Sequence, residues 1–413
     1  MRYLYIFDSH QFSSQCGVGT YVKELLKLVS PWEGMAAYRV MFNTQAEKAM
    51  VCTCKGTDYI LMPRTIHGDP FECEDDFLSL FASFIEEEEN SIFLYNYIPC
   101  EKFLRKTKAH FPKAKHLCVV HDLNWTSHLQ GDDKKLRKIL AREDSKNFIE
   151  AKVKDLYQRE KDQFELADWI VCLSEDTLRV LREVYRISDE KITLIPNGFV
   201  TGKRRMSGQA RSKCRQRYHL GEQEKVFLSV GRIGKAKGVF AFLNAFKEIL
   251  KKEPDCRWVI AGEVGRAADL LPCAQEAVTR ITLVGYVGKA ELAEWYQMAD
   301  IGIVASYTEQ CSYAGLEMMS YGLPVVASDG FGVRCMFQDG VNAYVASIGK
   351  REKPRHFEQN LREEVLRLWN DKAGQKKLRS NGYRILRERY SYAQMEKLYR
   401  SVFDRLFSAS LDN

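Results

Sequence analysis

No run of apolar residues in this chain exceeds strand length. The longest are about 5–8 residues, against the roughly 20 that a bilayer-spanning helix needs, so no membrane span is expected. The N-terminus lacks the small-residue cleavage site of a secretion signal, so none is expected. Met1-Arg-Tyr-Leu-Tyr-Ile-Phe7 runs straight into a strand-like segment that ends at Asp8. No second cysteine pair joins Cys52 and Cys54 at zinc-like spacing; the twelve cysteines are scattered. Several, such as Cys118 and Cys172, lie inside apolar runs, where a thiol acts as a small hydrophobe. That pattern reads as reduced core cysteines in a cytoplasmic protein. A dinucleotide fingerprint is missing too. No third glycine stands three residues after Gly19, which argues against a dehydrogenase. Solenoid repeats, low-complexity tracts and basic-aromatic nucleic-acid modules are also absent.

What the chain does have is size, aromatics and a modest positive charge. At 413 residues it exceeds one ordinary core, so two domains are expected. The formal charge of +7 suits anionic ligands or an anionic membrane surface. Strand-like runs at 3–7, 38–42, 59–62, 92–95, 117–120, 169–173 and 192–195 alternate with helical patterns. A second series follows at 226–230, 258–261, 281–284, 301–305, 324–327 and 344–346. Such alternation predicts parallel sheets covered by helices on both faces. The polar, basic stretch 201–213 reads as a linker, giving domains at 1–199 and 200–385. Residues 386–413 read as a C-terminal helix returning toward the first domain. A long charged pattern at 134–165 spaces Leu136, Ile139, Leu140, Phe148, Ile149, Val153, Leu156 and Tyr157 as one amphipathic helix. It is expected to pack on the first domain, with a membrane-surface or acceptor-docking role as the alternative.

The chemistry concentrates in the second series. Glu309-Gln-Cys-Ser-Tyr-Ala-Gly-Leu-Glu317 follows a buried strand and enters a helix, which puts two carboxylates near the carboxyl edge of the sheet. Eight helical residues turn about 80° off a common face, so the two cannot simply stack on one helix. Ser312 is a plausible N-cap, and Gly322 and Pro324 mark the helix end. The first-turn N–H groups of Tyr313, Ala314 and Gly315 would then form an anion site. Ser229-Val-Gly-Arg-Ile-Gly-Lys-Ala-Lys-Gly238 leaves the first strand of this series and sets Arg232 and Lys237 at its carboxyl end, with Lys235 a third, more solvated cation. Two cations and one helix end suit a diphosphate without requiring a metal or other cofactor.

These pieces together resemble the retaining glycosyltransferases of family 4. The resemblance rests on Val230-Gly-Arg232 with Lys237-Gly238, Ala261-Gly-Glu263, Val284-Gly-Tyr-Val287, Ala299-Asp300, the two glutamates through Gly322-Leu-Pro-Val-Val-Ala-Ser-Asp329, and Asp339-Gly-Val-Asn342. It covers nearly all of the second domain. It implies an α/β chain of the GT-B fold: two Rossmann-like, doubly wound parallel-sheet domains facing a central cleft. By the same resemblance Arg232 and Lys237 hold the donor phosphates, Glu309 approaches the donor sugar and Glu317 holds the ribose. Gly231, Gly262, Glu263, Tyr286, Val287, Ser312 to Gly315 and Leu316 complete the donor site. One departure stands out: many relatives carry an acid where Cys335 stands.

In the first domain, Asp8 to Tyr21 resembles the family's glycine loop before the first helix, so Gly17 and Gly19 are assigned to the donor phosphates. Val119-Val-His121-Asp122 resembles a His-Asp pair close to the reacting sugar. His121 therefore joins Glu309, Arg232 and Lys237 as a catalytic candidate, though not as a general base. Ser174 and Asn197 match the family's order and are expected to organise the cleft floor. The implied activity is transfer of a sugar from a nucleotide-diphosphate donor to a glycan, lipid-linked or peptide acceptor. The expected location is cytoplasmic, peripheral at the inner face of the membrane. A nucleotide-sugar epimerase and a catalytically silent nucleotide-sugar-binding protein stay open as alternatives.

Overall fold

A computed structural model describes residues 1–9, 17–64, 75–96, 100–200 and 206–408. The chain divides into two compact units, Met1–Gly198 with Tyr392–Asn413, and Phe199–Ser391. The first carries strands β1 (Arg2–Ser9), β2 (Met35–Thr44), β3 (Met50–Cys54), β4 (Thr57–Pro63), β5 (Ser91–Tyr95), β6 (Lys115–Val120), β7 (Trp169–Cys172) and β8 (Ile192–Leu194). They form one sheet in the order β3-β4-β2-β1-β5-β6-β7-β8. All described neighbours run parallel except β3 and β4. Sequence periodicity missed β3, because Met50 and Val51 sit exposed on an edge and carry no burial pattern. The other strands read clearly because both faces are covered: β5 is buried at every position.

The tail helix Tyr392–Ser408 belongs to this first unit. It packs on the helix Gly17–Val29: the Tyr21 and Tyr399 hydroxyls meet, and Tyr392 donates to Glu24. Trp32 Nε1 donates to Glu396 at 3.0 Å.

The charged stretch 134–165 is not one helix. It is two, Asp133–Leu140 and Phe148–Leu166, the second capped by Asn147, which accepts from the Glu150 N–H at 3.0 Å. Every residue from 141 to 149 is exposed. Phe148 and Ile149, read from their spacing as part of a packed stripe, are 84% and 52% exposed instead.

The second unit holds β9 (Lys225–Val230), β10 (Cys256–Ala261), β11 (Ile281–Gly285), β12 (Ile301–Val304), β13 (Val325–Ser328) and β14 (Tyr344–Ala346). Their order is β11-β10-β9-β12-β13-β14, all parallel. The direction of winding reverses between β9 and β12, which pair only at Ile301–Phe227 and Gly302–Leu228. Beyond those residues the carboxyl ends separate and leave a crevice, the usual ligand position in an open α/β sheet. The expected linker 201–213 lies outside the described residues at 201–205 and becomes a helix at Gly208–Arg217. That helix is tied down by charge. Arg211 donates to Asp300 at 2.9 Å, and the buried Arg215 donates to the Met298 carbonyl at 3.0 Å. Asp300 also accepts from the Val226 N–H at 3.0 Å, so the Ala-Asp pair before β12 sets strand register rather than chemistry.

Candidate active site

The crevice between β9 and β12 is lined by Gly231, Arg232 and Lys237 from one side and by Ser306, Glu309, Ser312 and Ala314 from the other. Lys237 forms an ion pair with Glu309 Oε1, and Ser306 Oγ donates to the same oxygen at 2.9 Å. Arg232 is exposed and makes no ion pair among the described residues. The two loops are stitched together by the Tyr307 N–H, which donates to the Ala236 carbonyl at 2.8 Å.

Glu309 stands on a short supporting lattice. Its N–H donates to the Phe331 carbonyl at 2.9 Å, and the Phe331 N–H donates to the Tyr307 carbonyl at 3.1 Å. Gly332 makes that approach possible: at φ +72°, a Cβ there would lie 1.9 Å from the Glu309 carbonyl oxygen. Ser328 Oγ donates to the Ser306 carbonyl. None of these supports was identified from sequence, although the Gly330-Phe-Gly332 spacing just after a strand was a usable signal.

The helix Tyr313–Ser320 begins as its pattern implies. Ser312 caps it, accepting from the Gly315 N–H at 3.4 Å. Its own cap therefore occupies the Gly315 N–H, which corrects the expectation that this group points at a ligand. Leu316 is fully buried, so its side chain belongs to the core. Glu317, further along the helix, accepts from the Tyr296 hydroxyl at 2.6 Å. Tyr296 is buried and stacks on Tyr321 with ring centroids 5.3 Å apart. Burial, and then the neighbouring carboxylate, push its phenol well above the ordinary range, so it stays a donor that orients Glu317.

Of the remaining donor candidates along the same sheet edge, Gly262, Glu263, Tyr286 and Val287 do not line the crevice. Gly231 donates to the Ala261 carbonyl and Gly262 to the Gly285 carbonyl, each at 2.8 Å. The Glu263 carbonyl accepts from Ile233 at 3.1 Å. Tyr286 is exposed and Val287 half-buried just past β11. Cys335, at the departure noted from sequence, lies in the short helix Val333–Met336 that follows Gly332.

In the first unit, Gly17 and Gly19 fall inside the first turn of the helix Gly17–Val29, not in a loop before it; residues 10–16 of the expected loop lie outside the described residues. Ser174 caps the helix Glu175–Glu183 by accepting from the Thr177 N–H at 3.2 Å. Asn197, buried, lies just past β8. His121 follows β6. Its Nε2 meets Asn96 Oδ1 at 3.0 Å, and its ring packs edge-on against Tyr21, centroids 4.5 Å apart. Asn96 Nδ2 points to the Phe7 carbonyl at 3.5 Å, which orients the amide and makes Nε2–H the donor. Burial pushes the imidazole down to about 3. In the unfolded chain its pKa is about 6.5. Between these values only the unfolded state takes up the proton, so stability falls as pH drops from about 6.5 toward 3. Replacing His121 with Gln is expected to flatten that acid-side slope, by at most about 1.4 kcal/mol per pH unit, in urea melts between pH 4 and 6.

Comparison with known proteins places this geometry. Residues 210–384 match the family described as glycosyl transferases group 1. Alpha-D-kanosaminyltransferase of Streptomyces kanamyceticus is 27% identical over 198 residues, 46% of this chain and 49% of that protein. Alpha-monoglucosyldiacylglycerol synthase of Streptococcus pneumoniae is 32% identical over 165 residues, 39% of this chain and 37% of that protein. The chain thus spans less than half the length of these curated relatives. Among solved structures, sucrose-phosphate synthase from Thermosynechococcus elongatus aligns over 99% of this chain and 100% of its own with a TM-score of 0.76 at 18% identity. Anabaena HepE in complex with UDP and glucose aligns over 98% and 100% with a TM-score of 0.71 at 15% identity. The fold is that of the GT-B glycosyltransferases. The match to the glycosyl transferases group 1 family lies within the second unit of this chain.

Proposed function

We propose that this protein transfers a sugar from a nucleotide-diphosphate sugar to an acceptor hydroxyl, with retention at the anomeric carbon, in the biosynthesis of a glycan or glycoconjugate. The observation that carries this reading is the convergence of Arg232, Lys237, Glu309 and the Ser312 helix end on one crevice at the switch point of the second sheet. The diphosphate takes Lys237 and Arg232, and the helix end adds its partial positive charge. Lys237 then leaves its pairing with Glu309, whose carboxylate is released toward the sugar. Glu317, oriented by Tyr296, takes the ribose hydroxyls. In the reaction the bond from the anomeric carbon to the phosphate oxygen breaks and a bond to the acceptor oxygen forms. The acceptor proton passes to the departing phosphate oxygen. A neutral His121 fits this scheme as a hydrogen-bonding group rather than a base. Charge is balanced by side chains and the helix end, so the scheme needs no metal.

The test is incubation with a panel of nucleotide sugars, UDP-sugars first, because the HepE structure holds UDP and glucose. Nucleoside diphosphate release that depends on an acceptor hydroxyl is the expected result. Interconversion of the sugar without an acceptor would instead mark an epimerase, and saturable binding without turnover a silent binding protein.

An anionic bilayer at the inner face of the membrane is the proposed partner surface. Phe148 and Ile149 stand exposed at a helix start, and Lys134, Lys135, Lys138 and Lys146 are exposed around the same helix-loop-helix. Among the described residues no helix is long and apolar enough to cross a membrane. Apolar residues inserting at the headgroup boundary beside lysines are the pattern of a surface-docked segment. Replacing Phe148 and Ile149 together with Ser is expected to cut sedimentation with phosphatidylglycerol vesicles by roughly tenfold. Undiminished binding would exclude this surface.

A further inference from the structure

The helix Phe148–Leu166 carries one carboxylate that the scheme above does not use. Glu160 is fully buried. Its Oε1 accepts from the Asn124 N–H at 2.6 Å and from Asn124 Nδ2 at 3.1 Å. Its Oε2 accepts from the Tyr185 hydroxyl. Asn124 lies three residues past His121, in the turn that leaves β6. The same turn is tied internally by Asp122 Oδ1, which accepts from the Leu123 N–H and from Thr126 Oγ1, each at 2.9 Å. His121 enters the turn already fixed by Asn96.

All three groups facing Glu160 donate. A carboxylate accepts from all of them with no proton left over, whereas an apolar residue would leave a backbone N–H and a phenol unpaired. Burying that charge is costly, and the cost is met by a bond to the main chain of one particular turn. We propose that Glu160 is a positioning residue: it holds the 121–125 turn and so aims the His121 imidazole. This rests on the reading that His121 takes part in the reaction.

Burial raises the Glu160 carboxyl to about 7, against the lowering effect of its bonds to Tyr185 and Asn124; the nearby Asp122 adds to the rise. The titratable groups around it are Asp122 in the turn, Tyr185, and Tyr157, which stacks on Tyr185 at 4.8 Å. Above that value the carboxylate accepts from every partner. Below it, the added proton must compete with the Tyr185 hydroxyl hydrogen, and the grip on the turn loosens. Turnover therefore declines as pH falls through about 7.

The experiment compares Glu160→Gln, Glu160→Ala and His121→Ala in the full chain. Glu160→Gln keeps the shape, cannot titrate and, like the protonated acid, turns hydrogens toward partners that all donate, so it is expected to hold turnover near the low-pH level at every pH and to lose the limb near neutral pH. Glu160→Ala is expected to lower kcat by tenfold to about a hundredfold. Its KM for the nucleotide sugar should not change, since those contacts lie in the second unit. A Glu160→Gln profile that keeps the limb overturns the proposal, and this holds even where Glu160→Ala fails to fold. Parental kcat in Glu160→Ala, with His121→Ala impaired, also overturns it. Parental kcat in His121→Ala would instead remove the reading of His121 on which it rests.

Discussion

Glu309→Gln is expected to abolish nearly all sugar transfer while the second unit stays folded. Glutamine keeps the volume, and its amide oxygen can still accept from Ser306, whose hydroxyl lies 2.9 Å from Glu309 Oε1. What it loses is negative charge where, in the proposed reaction, positive charge develops on the sugar as the phosphate departs. A group aimed at such developing charge contributes about 10²–10³ in kcat, roughly 3–4 kcal/mol. Stability should change little. Lys237, left without its partner, keeps 29% of its side-chain surface and can be solvated, and partly exposed pairs contribute about 1 kcal/mol or less. Steady-state transfer and a thermal melt check both halves. Turnover within tenfold of the parent would remove Glu309 from the site. An equal loss of melting temperature and activity would make its role structural.

Gly238→Ala should be the most damaging single methyl in the second unit. Gly238 lies at φ +65° and caps the helix Val239–Leu250, and a Cβ there would meet the Ala305 carbonyl oxygen at 1.9 Å and its carbon at 2.7 Å. Both are backbone atoms at the end of β12, so no side chain can move aside. Relief requires pushing apart the two loops that carry Lys237 and Glu309. A loss of about 3–5 kcal/mol is expected from overlap and conformation together. Gly340→Ala is the control: its φ is +64° but nothing lies within 4 Å of the added carbon. Only the conformational penalty remains there, about 1 kcal/mol. Urea melts of the two variants separate the effects. Equal losses would show that backbone conformation, not the contact with Ala305, sets the requirement for glycine.

Most strands were legible because each is a short apolar run between polar turns. β3 was not, because an exposed edge strand has no burial signature to read. The stretch 134–165 misled for a related reason. Helical spacing at Phe148 and Ile149 continues the pattern of Val153 and Leu156, yet the chain breaks at 141–147 and leaves both without a surface to cover. Periodicity reports which residues share a face. It does not report whether anything lies opposite.

At the site, Arg232, Lys237, Glu309 and Ser312 could be named from local spacing, since each sits at a strand end or helix start that its neighbours announce. Their partners could not. Ser306 on Glu309, Tyr296 on Glu317, Gly332 under the Glu309 carbonyl and Glu160 beneath the His121 turn are all contacts made across elements. The sequence alone therefore determined the alternation of strands and helices, the family resemblance and the polar groups at the edge of the second sheet, because each depends on residues near one another in the chain. Only the tertiary structure decided that Lys237 and Glu309 neutralise each other, that Glu317 is oriented by a buried phenol, and that His121 is held neutral. Pairing, orientation and desolvation are set by which elements pack together, and no local pattern encodes that.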